Sequence, residues 1–568
     1  MSRNISSLSG RDGKELDDSL WERLQQAAKT NDGSPSTDAL TTVADDFLVG
    51  EAVTYGTSSF YDFLKRGNKG VKAYVCNGST CLVAGTQDKV YQALSQHFKA
   101  EEIGHICCLG RCHENSAFNI GGLNYSGDAI NEMDAIVKGA AVASTHRVDL
   151  AGGKHHVGTS MEQPILTAPM PALGDFYGLW ERVLKADPSD ILNEIKIATI
   201  RGRGGAGFPM GFKLQACRDA EDVTGNGTPR KYIVCNADEG DPAAFSDRYL
   251  LEQRSHLVLL GMMIAGYCAG ADTGVLYIRA EYPEAVAIVK QAVKDIEAKS
   301  WIGKDIKGSG FNFRFKVIVA AGSYVCGEET ALLNSIEGKR GEVRTRPPYP
   351  AQQGLFNRPT LVNNVETLAC VPWVIENGGA AFAKMGTEKS NGSKLVSLDS
   401  AFNRPGLYEV ECGTPLRKVV DELGQGFKKK VKALHIGGPL GGIVPMSKID
   451  KLSIDFESFQ QEGFLLGHAS VLSIPEDFPM VEYLEHLFQF TAVESCGKCF
   501  PCRIGSKRGE ELLNRARKNN DTIDRALFDD LLETLEIGSL CALGGGLPLG
   551  IKNALQYFDG ELKAYFKA

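Results

Sequence analysis

Cys496, Cys499 and Cys502 recur at every third position in Glu494-Ser495-Cys496-Gly497-Lys498-Cys499-Phe500-Pro501-Cys502, and Cys541 follows in Gly538-Ser539-Leu540-Cys541. Four thiolates that converge on one small object force two distant loops together, which constrains the fold more tightly than any hydrophobic period. A C-x2-C-x2-C run closed by a remote cysteine suits a cubane [4Fe–4S] cluster. Structural zinc and plain buried thiols are the alternatives, although zinc sites usually pair two separated C-x2-C knuckles.

The chain holds 15 cysteines in 568 residues. Its first residues are polar and contain no apolar secretory core, so the cysteines point to metal and to a cytoplasmic location rather than to disulfides. At roughly 150 residues per domain, about three to five domains are expected. A net charge of -8 without a long basic run argues against a nucleic-acid surface. The most apolar run, 257–271, is broken by glycines and falls short of the roughly 20 residues of a membrane span, so it reads as a buried helix.

Residues 1–36 are polar apart from a short helical piece at 16–28 and are expected to be mobile or dependent on a partner. Residues 37–64 read as helical, with stripes of Leu40, Val43 and Phe47 and of Phe60, Phe63 and Leu64. A strand is expected over 71–76, then a helix over 87–98 and an apolar piece over 103–109. The C-x4-C pair Cys76 and Cys81, followed by the C-x3-C pair Cys108 and Cys112, places four thiolates on loops at the ends of neighbouring strands. That pattern suits a [2Fe–2S] cluster, with zinc or free thiols as alternatives. Cys107 competes with Cys108, and spacing leaves the third ligand open. These features fall in a domain at 37–145.

Residues 146–175, with His155-His156 and Pro164, Pro169 and Pro171, read as a linker with solvated histidines. Over 176–389 the pattern alternates: strands at 231–235, 274–279 and 315–320, and a helix at 283–299. Alternation of this kind implies a largely parallel sheet with covering helices. Gly/Pro turns and short strands make 390–475 a small mixed β domain. Residues 476–568 are helical, with the cysteine run between helices.

Glycines crowd Arg201-Gly202-Arg203-Gly204-Gly205-Ala206-Gly207-Phe208-Pro209-Met210-Gly211-Phe212-Lys213. They let backbone N–H groups approach an anion, Arg203 and Lys213 supply positive charge, and a helix is expected to start after Gly211. The spacing is neither that of a P-loop nor that of the Rossmann fingerprint. Asp238, Glu239 and Asp241 follow a strand directly, where α/β sheets bind ligands. Glu328-Glu329 opens a helix after Gly327, and Asn363-Asn364-Val365-Glu366-Thr367 offers amides and a hydroxyl at another junction. Each cluster alone also reads as a solvated loop or helix start. Together they describe a phosphate site with polyol recognition, hence a nucleotide or a flavin.

The stretches RGRGGAGFPMGFK, CNADEGDPAAFSDR, YVCGEETALLNSIEGKRG, RPTLVNNVETLA and ESCGKCFPCR resemble the NADH-binding flavin subunit of respiratory complex I. Its relatives include the diaphorase subunit of NAD-linked hydrogenases and the beta subunit of NAD-dependent molybdenum or tungsten formate dehydrogenases. The resemblance covers 176–568, while 37–145 resembles the thioredoxin-like [2Fe–2S] subunit of the same systems. It implies an α/β multidomain fold: a helical plus thioredoxin-like N-terminal domain, a Rossmann-like FMN domain, a ubiquitin-like β-grasp domain at 390–475 and a C-terminal helical bundle.

The resemblance also implies site residues. Gly202, Arg203, Gly204, Gly205, Gly207 and Lys213 would hold the FMN phosphate and nearby ring edge. Asn236, Asp238, Glu239, Tyr324, Gly327, Glu328, Asn363, Asn364 and Thr367 would complete that site. Phe208 would stack on the adenine of NAD, and Glu329 would contact its nicotinamide end. Cys496, Cys499, Cys502 and Cys541 would bind the [4Fe–4S] cluster. Cys76, Cys81, Cys108 and Cys112 would bind the [2Fe–2S] cluster, which resolves the Cys107 ambiguity. Asp241 stands where the family usually has glutamate, and Arg346 and Tyr349 replace its usual lysine and phenylalanine near the dinucleotide; NAD(H) is the expected substrate.

The flanks 503–509 and 538–545 resemble the formate dehydrogenase beta subunits most. A molybdenum- or tungsten-containing catalytic subunit with further iron–sulfur clusters is therefore the expected partner, since this chain carries no site for that metal. A hydrogenase diaphorase or complex I-like dehydrogenase is the alternative within the class, and a non-catalytic zinc-binding assembly module is the alternative outside it. Hydride would pass directly between nicotinamide and flavin, so no catalytic side chain is expected.

Overall fold

The computed structural model describes residues 8–9, 14–139, 156–221 and 230–567. Helix Leu20–Lys29, capped by Ser19, buries Leu20, Trp21, Leu24 and Ala28 on one face. Trp21 Nε1 donates to the Val319 carbonyl at 2.9 Å. From residue 14 onward the N-terminal segment therefore packs, contrary to its expected mobility; a short apolar stripe suffices where a sheet edge receives it. The expected helix over 37–64 is two helices, Thr37–Phe47 and Glu51–Ser58, because Leu48 turns left-handed with φ 52°.

Strands β1 (Ala73–Cys76), β2 (Ile103–Ile106), β3 (Phe118–Ile120) and β4 (Leu123–Tyr125) form one sheet in the order β2-β1-β3-β4. β1 and β2 run parallel with Cys76 opposite Ile106. Both cysteine loops thus leave the sheet from the same end of adjacent strands, which no spacing argument alone guarantees.

From residue 156 onward the segment expected to be a linker is built into the fold. β5 (His156–Thr159) adds a parallel edge strand to a sheet formed 250 residues later. Behind it, the buried Glu409 carboxylate accepts the amides of Ile165, Leu166 and Thr167 at 2.8–3.0 Å. His155 lies outside the described residues; His156 is half-buried and bonds to Arg404.

β6 (Tyr232–Ala237), β7 (Thr273–Ile278), β8 (Arg314–Val319) and β9 (Thr360–Asn364) make an all-parallel sheet in the order β8-β7-β6-β9. Helix Pro283–Ala298 turns Val289, Ala292 and Ile296 into the core. Helix Ser255–Ala269 is buried almost throughout, and among the described residues no helix is long and apolar enough to cross a membrane. Strand order reverses between β6 and β9, so a crevice opens at their carboxyl ends, where sheets of this kind bind ligands.

β10 (Ser393–Leu398), β11 (Gly406–Glu411), β12 (Val431–Ile436), β13 (Gly442–Pro445) and β14 (Ser470–Pro475) complete the six-stranded sheet, ordered β13-β12-β14-β10-β11-β5. The chain then runs through helices Met480–Glu494, Ser506–Asn519, Arg525–Gly538 and Ala542–Tyr557. His435 in β12 bonds through Nδ1 to the Tyr483 hydroxyl at 2.7 Å and through Nε2 to the Gly441 carbonyl at 3.1 Å, joining this sheet to the helices.

Candidate functional site

The glycine loop lies over the β6/β9 crevice. Gly202 N–H donates to the Phe208 carbonyl at 2.9 Å and closes the loop. Gly205 and Gly207 take φ of 125° and 62°, where a Cβ is strained, so backbone rather than side chains lines this turn. Arg201 ties the loop outward: its Nε donates to the Gly207 carbonyl, and its guanidinium sits 4.2 Å over the Phe456 ring and pairs with Glu457.

Arg203 does not offer its charge to the loop. Its side chain is fully buried, donating to the Asn391 carbonyl at 2.5 Å and to Cys412 Sγ at 3.6 Å, while its amide donates to Thr367 Oγ1 at 2.9 Å. It braces the loop from behind, and buried Thr367 is that amide's partner. Lys213, one turn into helix Met210–Asp219, bonds to the Val362 carbonyl at 2.6 Å and to Glu329 at 3.2 Å.

At the end of β6, Asn236 Nδ2 donates to the Gly327 carbonyl at 2.7 Å and its Oδ1 accepts the Asp238 amide. Asp238 Oδ2 and Asn363 Nδ2 are buried and have no partner among the described residues. One is an acceptor and the other a donor, and burial holds the Asp238 carboxyl well above its usual range. Buried polar atoms left this way are costly unless a ligand or water completes them, and hydroxyls and amides of a polyol-bearing ligand fit both. Asp241 accepts from the Tyr324 hydroxyl at 2.6 Å.

Glu239 departs from expectation. Its Oε1 accepts from Ser246 Oγ and the Asp247 amide, and its Oε2 accepts from the Arg248 amide and the Tyr282 hydroxyl. All four acceptor directions are engaged inside the protein, so Glu239 shapes the crevice wall. Asn364 Oδ1 caps helix Val365–Ala369, and its Nδ2 donates to Asp247 Oδ2 at 2.6 Å. Glu328 caps helix Glu329–Ile336, and Glu329 is held between Lys213 and Arg346, the latter at 3.0 Å. Phe208 and Tyr349 are 49% and 55% exposed, leaving open aromatic faces beside the crevice.

The first four cysteines gather where β1 and β2 end. Cys108 Sγ lies 3.3 Å from Cys112 Sγ, and Cys76 lies near enough to Cys81 and Cys108 for both thiols to act on its own. Gly78 leaves room for them, since a Cβ there would approach Cys108 and Cys76 Sγ to 3.4 and 3.5 Å. Cys107 packs against the apolar cluster of Val325, Phe490 and Cys496 that borders the second set, and also against the core that holds the first. The second four meet between helices: Cys541 caps helix Ala542–Tyr557 and clusters with Cys496, Cys499 and Cys502. Burial pushes the Cys502 and Cys541 thiols up to about 11 and about 12. Thiolates in such surroundings require a cation, and an all-sulfur set of four fits an iron–sulfur centre. Around the second set, Val493, Phe500 and Ile537 stand exposed.

Sequence reasoning missed Asp247, Arg279 and His468. Asp247 sits inside a quoted motif but reads as an ordinary helix residue. His468 comes from another sheet and carries no local signal. Arg279 ends β7, with Nη1 on the Glu239 carbonyl and Nη2 on the Cys107 carbonyl at 3.2 Å.

Residues 195–373 match the Nuo51 FMN-binding domain, and residues 482–565 match the NADH-ubiquinone oxidoreductase-F iron-sulfur binding region. The NADP-reducing hydrogenase subunit HndC of Solidesulfovibrio fructosivorans is 42% identical over 69% of this chain and 79% of that protein. The mitochondrial NADH-ubiquinone oxidoreductase 51 kDa subunit of Neurospora crassa is 35% identical over 69% of this chain and 80% of that protein. A crystal structure of an NAD+-reducing [NiFe]-hydrogenase in the H2-reduced state aligns with a TM-score of 0.82 at 27% identity, covering 96% of this chain and 92% of that one. The crevice with its glycine loop falls within the FMN-domain match, and the second cysteine set falls within the iron-sulfur match: the chain belongs to the family of the NADH-ubiquinone oxidoreductase 51 kDa protein, the Nuo51 FMN-binding proteins.

Proposed function

We propose that this chain is an NAD(H)-dependent diaphorase subunit. It exchanges hydride between NAD(H) and FMN and relays single electrons through a [4Fe–4S] and a [2Fe–2S] cluster. The electrons come from formate oxidised by a molybdenum- or tungsten-containing partner with further iron–sulfur clusters. The observation that carries the flavin part is the β6/β9 crevice, where two buried groups, Asp238 Oδ2 and Asn363 Nδ2, have no partner among the described residues and the glycine loop packs against Asn364 beside them. Bound FMN supplies the conversion between two-electron hydride and single-electron chemistry.

The chain's own residues then have separate tasks. Gly204, Gly205 and Gly207 offer amides to a phosphate, Gly202 uses its amide to close the loop on Phe208, and Lys213 is the nearby charge. Asp238 and Asn363 orient hydroxyls and the polar ring edge, and Asn236 with Gly327 fixes the floor beneath them. Phe208 and Tyr349 offer faces to the dinucleotide's adenine, and Glu329 contacts its nicotinamide end. No side chain titrates in hydride exchange, so the protein's contribution is to hold two rings at reacting distance. Cys76, Cys81, Cys108 and Cys112 hold the [2Fe–2S] cluster; Cys496, Cys499, Cys502 and Cys541 hold the [4Fe–4S] cluster. The exposed Val493, Phe500 and Ile537 suit an electron-exchanging partner's face.

The formate assignment rests on the flanks of the cysteine run. A hydrogenase diaphorase is the second reading, favoured by the 42% identity to a hydrogenase subunit and by the 96% structural coverage. Anaerobic purification with native partners tests both. FMN, iron and sulfide contents come first, then NADH:ferricyanide reduction, then NAD+ reduction with formate or hydrogen as donor. Formate-driven NADH formation supports the first reading and hydrogen-driven formation the second. A colourless zinc protein without flavin removes both. NADPH with a kcat/KM equal to that of NADH removes the NAD assignment.

A further inference from the structure

His468 follows β13 in the six-stranded sheet domain but reaches into the wall of the crevice, buried at 5% exposure. Its Nε2 lies 3.5 Å from Asp247 Oδ2 and 3.7 Å from Glu239 Oε1, and its Nδ1 lies 3.5 Å from Ser246 Oγ. Both carboxylates are buried as well. Two adjacent buried carboxylates need a counter-charge, since neither is solvated.

Among the described residues no other cation is ion-paired with either carboxylate, and Arg248, buried on the same helix as Asp247, gives Glu239 only its backbone amide. Lys394, the other positive group that acts on His468, is neutralised by Glu366 in a fully buried pair. Arg279 pairs with Glu281 and reaches only the Glu239 carbonyl. Asp241, whose carboxyl also feels His468, is bonded by Tyr324. The Glu239–Asp247–His468 group has ligand atoms within 4.8 Å of one another, as a metal site would. Glu239 has no free lone pair for an ion, however, because Ser246, Asp247, Arg248 and Tyr282 take them all. The arrangement is an ion triad.

The triad leads to the glycine loop. Asp247 accepts from Asn364 Nδ2; Asn364 Oδ1 caps the helix start at Glu366 and Thr367; Thr367 Oγ1 accepts the Arg203 amide. Asn364 also packs against Gly204, where a Cβ would sit 3.0 Å from its own Cβ. Gly467, next to His468, lies under Gly205. We propose that His468 is a positioning residue for the crevice: its imidazolium, reaching over from the six-stranded sheet, compensates the Glu239–Asp247 pair and, through Asp247 and Asn364, fixes the glycine loop for its phosphate-bearing ligand. This rests on the flavin reading for the identity of the ligand, but not for the triad itself.

Burial alone would lower the imidazole's affinity for a proton; Asp247 and Glu239 outweigh it and push His468 up to about 9. The raised value means that the triad's stabilisation is fully present below the ordinary imidazole range and is lost as pH rises through about 9.

The test uses the full chain with His468→Gln, Asp247→Asn and the double variant. The readouts are the melting temperature of flavin-depleted protein from pH 7 to 10 and FMN affinity by quenching of flavin fluorescence. Expected are a wild-type melting temperature that falls as pH passes about 9, a flattened profile in His468→Gln, and FMN binding at least about tenfold weaker in that variant at pH 7. The double variant has the wild-type net charge in the triad and recovers most of both losses. Additive losses in the double variant, or an unchanged profile and affinity in His468→Gln, overturn the proposal. If His468→Gln alone does not fold, a folded double variant supports the charge role, and failure of both overturns it. A wild-type chain that binds no FMN removes the flavin reading, while the melting profiles still decide the triad.

Discussion

The Ala243 amide, on the acidic loop that follows β6, donates to Cys112 Sγ at 3.1 Å. One loop therefore serves both the crevice and the first cysteine set. Arg279 strengthens this junction, joining the carbonyls of Glu239 and Cys107 while pairing with Glu281 at 2.8 Å.

Arg279→Met should destabilise the chain by about 3–5 kcal/mol, because it strands the buried Glu281 carboxylate and frees two carbonyls. Urea unfolding measures the loss. A change below about 1 kcal/mol contradicts the clasp, whereas a shifted [2Fe–2S] potential in surviving protein extends it.

Cys108→Ser should abolish the [2Fe–2S] signal, and Cys107→Ser should retain the iron of both centres, because it is the Cys108 thiol that meets Cys112 Sγ at 3.3 Å. Iron content and the electron paramagnetic resonance spectrum of the reduced protein decide between them. Loss of [2Fe–2S] iron in Cys107→Ser reverses the ligand assignment.

Arg203→Met should lower the stability of flavin-free protein by about 1–3 kcal/mol, since its partners are protein atoms and a buried carbonyl is left unsatisfied. A variant with weaker FMN binding but unchanged flavin-free stability would restore Arg203 to a direct ligand role.

His435 is buried and neutral; burial pulls it down to about 4, against the opposing Gly441 carbonyl. A depressed imidazole stabilises the fold above its ordinary range and loses that contribution as pH falls towards about 4. Wild type should therefore lose up to about 3 kcal/mol more than His435→Gln across that window, read by unfolding at matched pH values. Parallel profiles in the two proteins contradict the buried neutral state.

What the residues disclose directly is what lies close together in the chain. The glycine loop, the acidic end of β6, the capping Glu328 and the close cysteine spacings are local, whereas Cys541 joins Cys496, Cys499 and Cys502 from the start of another helix. The alternation over 176–389 likewise yields three of the four strands of the parallel sheet within a residue or two, but not β9 (Thr360–Asn364), whose Asn363-Asn364 end reads as a loop before a helix. Side-chain direction is not local: Arg203 and Glu239 have the chemistry of ligand residues, yet each is turned inward by partners from elsewhere. His468 meets Ser246 across 222 residues, a pairing with no periodic signature. The polar composition of 1–36 and the prolines of 164–171 likewise conceal the packed Trp21 and the strand β5, because both depend on a distant sheet edge.

That distance has a consequence for synthesis. Trp21 bonds to a carbonyl 298 residues further on, and Ile165 to a carboxylate 244 residues further on. A ribosome releases the chain from its N-terminus, and domains normally close as they emerge. Here Trp21 and the strand β5 have no receiving strand until residues far downstream have been made, and β5's partner arrives only with residues 406–411. Until then the early cysteines, Cys76 to Cys112, stand on a chain whose final enclosure is still to come.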